Sequence, residues 1–338
     1  MAFDAVLLVS FGGPEGPEDV MPFLRNVVRG RDIPESRLQA VADQYHRVGG
    51  ASPLNDLNRA LVASLRDALE ALGRPLPVYW GNRNWRPFLA ETLAEMRRDG
   101  IREAAAVITS AYPSYSGCRQ YMENIEEALA EVGEGAPRVV KIQPYFDRSG
   151  FVEPLADGLR SALAAAGPDT PVIMTAHSIP VSQAANCAYE KELRRVGAAV
   201  AAAAGAGGAG GGAGGTAPRW TLAFQSRSGP PTQPWLEPDL NDVIAALPDP
   251  APAVIVVPIG FVSDHMEVVH DIDVVAASKA AQRRTRLIRT PTPGADPRFA
   301  AMLAGMVCET EELTAAGRTP GPWCGAGCCL APPSRRDS

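Results

Sequence analysis

The chain enters its first structured segment with Ala5-Val6-Leu7-Leu8-Val9-Ser10, followed at once by the turn-forming run Phe11-Gly12-Gly13-Pro14. The apolar residues are continuous and do not alternate, which is typical of a parallel strand covered on both faces. Seven further runs of this kind follow, separated by amphipathic stretches such as 57–71 and 152–165. These strands are predicted at 77–80, 104–109, 138–142, 172–176, 221–224, 254–259 and 286–289.

This alternation of strand and helix indicates an α/β protein with doubly wound parallel sheets. Eight strands also suit a TIM barrel, which is the alternative fold. A length of 338 residues corresponds to about two domains, and the first four units end near Phe146. We therefore expect two similar halves, residues 1–146 and 147–295. Residues 296–338 are expected to add a helix and a cysteine-rich tail.

A segment rich in alanine and glycine, residues 197–218, interrupts the second half. Its alanine-rich part is suited to extend a helix that begins at Tyr189, whereas its glycine-rich part predicts a surface loop inserted into the domain.

Composition excludes several classes of protein. A net charge of −6 argues against nucleic acid as the main partner. No apolar run approaches the roughly 20 residues of a membrane-spanning helix, and the N-terminus lacks the pattern of a signal peptide. We therefore expect a cytoplasmic protein. Its six cysteines are not expected to form a disulfide framework.

A histidine, His177, follows the strand predicted at 172–176, where open α/β sheets place their functional residues. A histidine there is able to act as a base, a nucleophile or a metal ligand, although a lone histidine is often structural. The neighbouring Ser178 raises the alternative of a hydrolase. The chain has no Gly-x-Ser-x-Gly motif, which weakens that alternative.

Acidic residues follow the strand predicted at 254–259. If a helix starts near Ser263, Asp264, Glu267 and Asp271 are spaced i, i+3 and i+7 and share one face. Stacked like charges cost stability, so such a row is either solvated or serves cations and protons. Apolar neighbours on both sides of the row favour partial burial.

Arginines and aromatic residues recur in the first half. They are suited to line a site for a flat, anionic ligand, and ordinary surface and core usage is the competing account. These stretches occur at 29–31, 45, 52–53, 80–85 and 112–115.

Taken together, these stretches resemble the ferrochelatases, enzymes that insert ferrous iron into a porphyrin. The resemblance covers almost the whole chain and is most similar to the actinobacterial branch, whose members convert coproporphyrin III to coproheme. It rests on Leu7–Pro14, Arg29–Arg31, Gly49–Leu54, Thr175–Pro180, Phe224–Arg227 with Pro234–Leu236, and Pro258–Glu267.

The resemblance implies two Rossmann-like domains with a porphyrin cleft between them, and a metal chelatase (a lyase) of heme biosynthesis. It implies that His177 is a metal ligand or proton acceptor on one porphyrin face and that Glu267 is the carboxylate facing it. Asp271 is then the next acid in a row that carries protons or iron. Phe11 stands where many relatives have a tyrosine that ligates product iron, so it is expected to pack against the ring and to leave His177 as product ligand. The positions near the propionates are Arg29, Arg31, Ser52 and Tyr121.

The cysteine-rich tail suggests a [2Fe-2S] cluster, because several ferrochelatases hold one through C-terminal cysteines and one internal cysteine. Three thiolates in six residues suit such a cluster, which needs four ligands. The expected ligands are Cys324, Cys328 and Cys329, with Cys118 as the fourth and Cys187 as its competitor. Zinc and free thiols stay open as alternatives.

Three functional alternatives accompany this interpretation: a protoporphyrin IX ferrochelatase, a tetrapyrrole or metal carrier without turnover, and the hydrolase. The presence of both His177 and Glu267 favours the enzyme, since a carrier needs no opposed base. The expected state is a monomer that transiently contacts a coproheme-processing enzyme.

Overall fold

The computed structural model of the chain describes residues 2–206, 217–229, 232–318 and 327–331. The strands in these ranges form two four-stranded, parallel sheets. The first contains β1 (Ala5–Ser10), β2 (Val78–Asn82), β3 (Glu103–Ile108) and β4 (Arg138–Lys141). The second contains β5 (Val172–His177), β6 (Trp220–Gln225), β7 (Ala253–Val257) and β8 (Arg286–Arg289).

Both sheets have the same strand order, β2-β1-β3-β4 in the first and β6-β5-β7-β8 in the second. The strand order therefore reverses beside β1 and beside β5. In open α/β sheets, ligands bind outside the carboxyl ends of the strands at such a reversal. The α/β prediction with two parallel sheets is confirmed, and the TIM-barrel alternative is wrong because neither sheet closes on itself.

Helices cover the faces of these sheets, and most of them connect successive parallel strands. They are α1 (Val20–Val27), α2 (Glu35–Arg47), α3 (Leu54–Ala71), α4 (Leu89–Arg98), α5 (Gln120–Val132), α6 (Ser149–Ala166), α7 (Val181–Ala184), α8 (Tyr189–Ala206), α9 (Leu240–Ala245), α10 (Met266–Val268), α11 (Ala277–Gln282) and α12 (Pro297–Ala315). Two π-helical segments, Tyr115–Arg119 and Val269–Ala276, directly precede α5 and α11.

One hydrophobic core joins the two halves. It contains Leu8 of β1 and Met174 of β5, and both side chains are inaccessible to solvent. The C-terminal helix α12 packs against α3 of the first half and α6 of the second. Its Phe299 contacts Phe151 of α6, with ring centroids 6.4 Å apart. The halves therefore share buried surface, while the boundaries at 146/147 and 295/296 stay predictions.

A separate small core holds α1 and α2 together, around Phe23 and Leu38. Neither helix is predicted from the sequence. In α2 only Leu38 and Ala42 are buried, so its apolar stripe is too sparse to indicate a helix by periodicity. The guanidinium of Arg37 on α2 donates to the backbone carbonyl of Ser228, so this pair of helices reaches the loop after β6 in the second half.

The predicted strands agree with the observed ones to within about two residues at each end. Helix α8 continues to Ala206, so the alanine-rich segment extends the helix as predicted. The glycine-rich residues 207–216 lie outside the described residues. In the described part of the chain, every helix is too short or too polar to span a bilayer.

Candidate active site

Loops at the carboxyl ends of the two sheets contact each other, and the region between these ends is called here the cleft. Tyr112 follows β3, and its hydroxyl donates to the carbonyl oxygen of Ile259 after β7, at 3.0 Å. Beside it, the side-chain amide of Gln183 donates to the hydroxyl of Ser116, also at 3.0 Å. Loops from both halves are thus in direct contact. These contacts lie beside the points where the strand orders reverse, and a ligand site is expected at such points.

His177 is the last residue of β5, and its ring is held in one orientation. Nδ1 lies against the carbonyl oxygen of Ser178, which only accepts, so Nδ1 carries the proton. Nε2 faces Glu267, and the distance from Nε2 to Oε1 is 3.2 Å. The hydroxyl of Tyr189 donates to the backbone carbonyl of His177 at 3.0 Å and fixes the strand end. Nε2 therefore points at Glu267 and is the nitrogen that gains or loses the titrating proton.

Close packing of two backbones brings Glu267 to His177. A Cβ on Gly260 would lie 2.4 Å from the Cβ of Ala176, so only glycine lets the loop after β7 approach the end of β5. The amide of Gly260 donates to the carbonyl of Thr175 at 3.1 Å. Beyond the loop, the side-chain amide of Gln225 donates to the backbone carbonyl of Glu267.

The histidine and the glutamate form an ion pair in the free protein. Burial lowers the pKa of His177, but the carboxylate of Glu267 overrides it, so the pKa rises to about 9. Burial likewise raises the pKa of Glu267, and the charge of His177 overrides it and lowers the pKa to about 2. At neutral pH one proton is thus held between them, on the imidazole.

A second histidine, His265, has a structural task that the sequence interpretation did not assign. Its Nδ1 accepts from the backbone N–H of Glu267 at 3.1 Å and caps the helix that follows. Burial lowers its pKa, and the carboxylate of Glu267 opposes that shift only in part. His265 therefore stays neutral and orients Glu267.

The acidic residues lie on a helix that starts later than predicted. This helix, called here the acid helix, consists of α10 and the π-helical segment Val269–Ala276. Because it begins at Met266, Asp264 lies outside it, and the predicted row of three acids is wrong. Asp264 is paired with Arg289, at 3.0 and 3.1 Å, and only Glu267 and Asp271 remain on the acid helix as predicted.

Asp271 is held by two neighbours. The hydroxyl of Ser226 donates to Oδ2, and Nδ1 of His270 lies 3.0 Å from Oδ1. Ser226 has a φ of 62°, a left-handed conformation that is uncommon for a residue other than glycine. This conformation at the end of β6 aims the hydroxyl at the carboxylate.

The contact between His177 and Glu267 corrects one part of the prediction. A flat ring sandwiched between two groups separates them by about 7 Å, twice a van der Waals contact of roughly 3.5 Å. The observed 3.2 Å leaves no room for a ring between Nε2 and Oε1. In this structure the two side chains therefore lie on the same side of the cleft and do not face each other across a porphyrin.

Aromatic side chains form the wall contributed by the first half. Phe11, at the end of β1, is 37% exposed and contacts Phe23 edge to face, with ring centroids 6.1 Å apart. Phe23 contacts Tyr45 and Trp85 in the same way. Burial raises the pKa of Tyr45, and the charge of Glu267 raises it further. An exposed ring at a strand end is suited to stack on a flat ligand.

Arg83 lies at the edge of the aromatic wall. Its guanidinium covers the ring of Tyr121 at 4.4 Å and that of Phe11 at 5.7 Å, and Nε donates to Asn124 at 2.6 Å. Among the described residues, no carboxylate lies within ion-pair distance of Arg83. Arg83 lies in the stretch 80–85, which the sequence predicts as part of a site for a flat, anionic ligand. The signal was an arginine directly after a strand, where a ligand anion is able to pair with it.

The residues expected near the propionates do not form one group. Arg29 and Arg31 are exposed after α1, and Arg29 donates to Asn26 at 2.7 Å. Ser52 is buried, and its hydroxyl accepts from the backbone of Leu54 at the start of α3. Tyr121 is buried under Arg83.

The hydrolase alternative has no support in this geometry. Ser178 is buried, and its hydroxyl donates to the carbonyl of Leu236 at 2.9 Å. His177 turns Nε2 to Glu267, so serine and histidine do not form a nucleophile–base pair.

The described cysteines lie in four segments of the chain: before α5, after α7, in α12 and in the tail. Cys118 is buried in the π-helical turn before α5, and Cys187 donates to the carbonyl of Gln183 at 3.4 Å. Cys328 and Cys329 are described, whereas Cys324 lies outside the described residues. Within the described ranges, no group of three or more histidine, cysteine, aspartate or glutamate side chains is arranged to hold a metal ion.

Comparisons with known proteins agree with the geometry. The family model for ferrochelatase matches residues 3–311. A coproporphyrin III ferrochelatase from Frankia alni is 50% identical, over 98% of this chain and 87% of that protein. One from Streptomyces griseus is 47% identical, over 97% and 94%. A ferrochelatase from Rhodopirellula baltica is 47% identical, over 98% and 95%.

A solved structure, SirB from Bacillus subtilis with Fe³⁺, shares the fold at 10% identity, with a TM-score of 0.54 over 94% of this chain and 99% of that one. The family model covers most of the chain, and relatives 47–50% identical match it over most of their own length. The chain belongs to the ferrochelatase family.

Proposed function

We propose that this protein inserts Fe²⁺ into coproporphyrin III and releases coproheme, as a step of heme biosynthesis. The observation that carries the proposal is the pair of His177 and Glu267, 3.2 Å apart at the carboxyl end of the second sheet. Phe11 is exposed at the carboxyl end of the first sheet. The names of the relatives from Frankia alni and Streptomyces griseus support the choice of substrate.

The porphyrin stacks with one face on Phe11 and turns its other face to the ion pair. Phe11 offers a ring without a donor atom, so it holds the macrocycle and leaves the metal alone. His177 and Glu267 supply an imidazole nitrogen and a carboxylate oxygen on the opposite side. Fe²⁺ therefore reaches the ring from that side, and the four pyrrole nitrogens complete its coordination. Any ligand of product iron on that side is His177.

The reaction releases two protons, one from each pyrrole N–H. The ion pair already holds one proton on His177, and an approaching dication favours its loss because like charges repel. The neutral imidazole and the carboxylate are then both able to accept a proton from the ring. Asp271 continues along the acid helix, and from there protons pass on to solvent. His177, Glu267 and Asp271 are the catalytic residues of this proposal.

The four carboxylates of coproporphyrin need cationic partners at the edges of the cleft. Arg83 is half-buried beside Phe11, and its guanidinium contacts ring faces and an amide. Arg29 and Arg31 are exposed after α1. Guanidinium groups bind carboxylates with two parallel hydrogen bonds, so these arginines are suited to the propionates. Ser52 and Tyr121 are buried, and Tyr121 packs under the guanidinium of Arg83. We assign them a supporting role beside these arginines.

Two measurements on one variant test the mechanism. His177→Ala should lose at least about 100-fold in the rate of Fe²⁺ insertion, because it removes both the metal ligand and a proton acceptor. It should keep coproporphyrin affinity, since Phe11 and the arginines hold the ring. Ser178→Ala is the matched control and should keep its rate. An unchanged insertion rate in His177→Ala would contradict the mechanism.

The carrier alternative predicts a different pattern from the enzyme. A carrier binds coproporphyrin or Fe²⁺ but does not insert the iron into the porphyrin when both are supplied together. Protoporphyrin IX, which has two propionates, is the alternative substrate. We further propose that the protein is a cytoplasmic monomer and that it transiently contacts a coproheme-processing enzyme.

The proposal includes a [2Fe-2S] cluster held by Cys118, Cys324, Cys328 and Cys329. Arg119 donates to the backbone carbonyl of Cys328 at 3.2 Å, so the tail packs against the turn that contains Cys118. Cys329 is buried there as well. Burial raises the pKa of the Cys187 thiol, which favours its protonated form and makes it the weaker candidate for a ligand. Four thiolates are the usual donor set of such a cluster, which supplies redox chemistry when bound.

Visible absorbance of anaerobically purified protein, with iron and sulfide analysis, tests the cluster. Cys324→Ser and Cys118→Ser should each remove the absorbance. Cys308→Ser, on α12, is the control and should keep it. Wild-type protein without acid-labile sulfide would contradict this part of the proposal and would leave the chelatase mechanism untouched.

A further inference from the structure

An arginine at the end of β8 links the acid helix to the second sheet. Arg289 is the last residue of β8 and only 19% of its side chain is exposed. Its two terminal nitrogens donate to both oxygens of Asp264, at 3.1 and 3.0 Å. Its Nε donates to Oδ1 of Asp273 at 2.7 Å. One guanidinium therefore binds a carboxylate before the acid helix and another carboxylate within it.

These two attachment points enclose both catalytic acids. Asp264 precedes the capping residue His265, and Asp273 lies in the π-helical segment, so Glu267 and Asp271 are both located between them. A π-helix is rare and has a wider turn than an α-helix, which makes its geometry dependent on surrounding contacts. Arg289 fixes the two ends of this stretch relative to each other and to the sheet.

The loop after β8 reinforces the same attachment. Thr292 donates to Oδ1 of Asp264 at 3.0 Å. The amide of Gly294 donates to the carbonyl of Val262 at 2.7 Å, and a Cβ there would lie 2.6 Å from that carbonyl oxygen. The segment that leads into the acid helix is thus bound to the loop after β8 through side chains and backbone. By comparison, β6 contacts the acid helix through Gln225 and Ser226.

We infer that Arg289 is a positioning residue, which aims Glu267 at His177 by holding Asp264 and Asp273 at a fixed separation. It touches neither His177 nor the aromatic wall, so it acts through the acid helix alone. The expected effect of Arg289 on the rate of Fe²⁺ insertion rests on the proposed function. Its role in holding the acid helix rests on the hydrogen bonds alone.

The variant Arg289→Lys tests the inference, because a lysine ammonium keeps the charge and loses the planar set of donors that reaches two carboxylates. We expect kcat for Fe²⁺ insertion to fall by about 10- to 100-fold, the cost of a small misplacement of a catalytic group. The Kd for coproporphyrin III alone, measured by fluorescence quenching, should stay within about two-fold, because uniform binding is not affected.

Arg298→Lys is the matched control. Arg298, on α12, also binds more than one carboxylate. It has paired bonds of 2.9 and 2.8 Å to Asp296, one of 2.8 Å to Asp157, and a longer ion pair of 3.8 Å to Glu153. It should lower the unfolding midpoint without changing kcat. A loss of kcat in Arg289→Lys no larger than in this control would overturn the inference. A loss of coproporphyrin affinity in Arg289→Lys as large as its loss of kcat would also overturn it.

Hydrogen exchange of the substrate-free protein separates this inference from the proposed function. Amides of residues 266–276 should exchange faster in Arg289→Lys, whereas those of β5 should keep the wild-type rate. Unchanged exchange in 266–276 would refute the attachment even if the wild type inserts iron. If Arg289→Lys does not fold, Asp273→Asn removes one attachment point and should lower kcat in the same direction, and an unchanged kcat there would again overturn the inference.

Discussion

Replacing Glu267 with glutamine removes the negative charge beside His177 and keeps the shape of the side chain. In the wild-type protein, burial is the largest influence on the pKa of His177 and lowers it, while the carboxylate at 3.2 Å overrides burial and raises the pKa to about 9. Without that charge burial dominates, so the pKa should fall to or below the ordinary value of about 6.5. At pH 7.5 the protonated fraction of His177 then drops from about 97% to about 9% or less.

NMR of protein labelled with ¹⁵N at histidine measures this change directly, by a titration between about pH 5 and pH 10 that brackets both pKa values. His177→Ala identifies the resonance. Glu309→Gln, which removes a surface charge paired with Arg148 at 2.8 Å, is the control and should leave the titration of His177 unchanged. A His177 that still titrates near pH 9 in Glu267→Gln would show that a group other than Glu267 raises its pKa.

The same pair makes folding stability depend on pH. The pKa of His177 is raised on folding, so its contribution is complete below about pH 6.5 and is lost as the pH rises through about 9. The pKa of Glu267 is lowered, so its contribution is complete above about pH 4.5 and is lost as the pH falls through about 2. Urea unfolding midpoints of Glu267→Gln should therefore vary less between about pH 6.5 and 9 than those of the wild type.

Three further changes test other parts of the account. Phe11→Ala should weaken coproporphyrin binding by about ten-fold, the equivalent of one aromatic contact of roughly 1.4 kcal/mol, in a fluorescence titration; unchanged affinity would exclude stacking on Phe11. Asp271→Asn should slow Fe²⁺ insertion by about ten-fold or more at an unchanged coproporphyrin Kd, and a wild-type rate would remove Asp271 from the proton path. Phe151→Ala should cost about 3–5 kcal/mol in the free energy of unfolding while both halves still unfold in one transition; two separate transitions would show that the shared core does not couple them.

Much of the fold follows from local sequence. The run at Ala5–Ser10 is predicted and observed with the same ends, because a strand buried on both faces needs uninterrupted apolar residues. The place of His177 after an apolar strand likewise predicts it as a site residue, since the carboxyl ends of parallel strands gather at one edge.

Other features depend on contacts between distant residues. The acid helix starts at Met266 and not near Ser263, because Asp264 is engaged by Arg289 and His265 supplies the cap. Local propensity favours Ser263 or Asp264 as a cap, so nothing near these residues in sequence reveals the later start. The α1–α2 pair was missed because its core is small and forms only when the two helices pack together.

The same-side arrangement of His177 and Glu267 was also beyond the sequence. Residues 90 positions apart are brought to 3.2 Å by the close approach of Gly260 to Ala176. A sequence pattern identifies both side chains, but their separation depends on how two loops pack.

The most direct test supplies Fe²⁺ anaerobically with coproporphyrin III or protoporphyrin IX and follows metalation by the collapse of the four visible porphyrin bands. We expect turnover of coproporphyrin III at a higher kcat/KM than that of protoporphyrin IX, and loss of this turnover in His177→Ala. Binding of both porphyrins without metalation by the wild-type protein would exclude the proposed chelatase and favour a carrier.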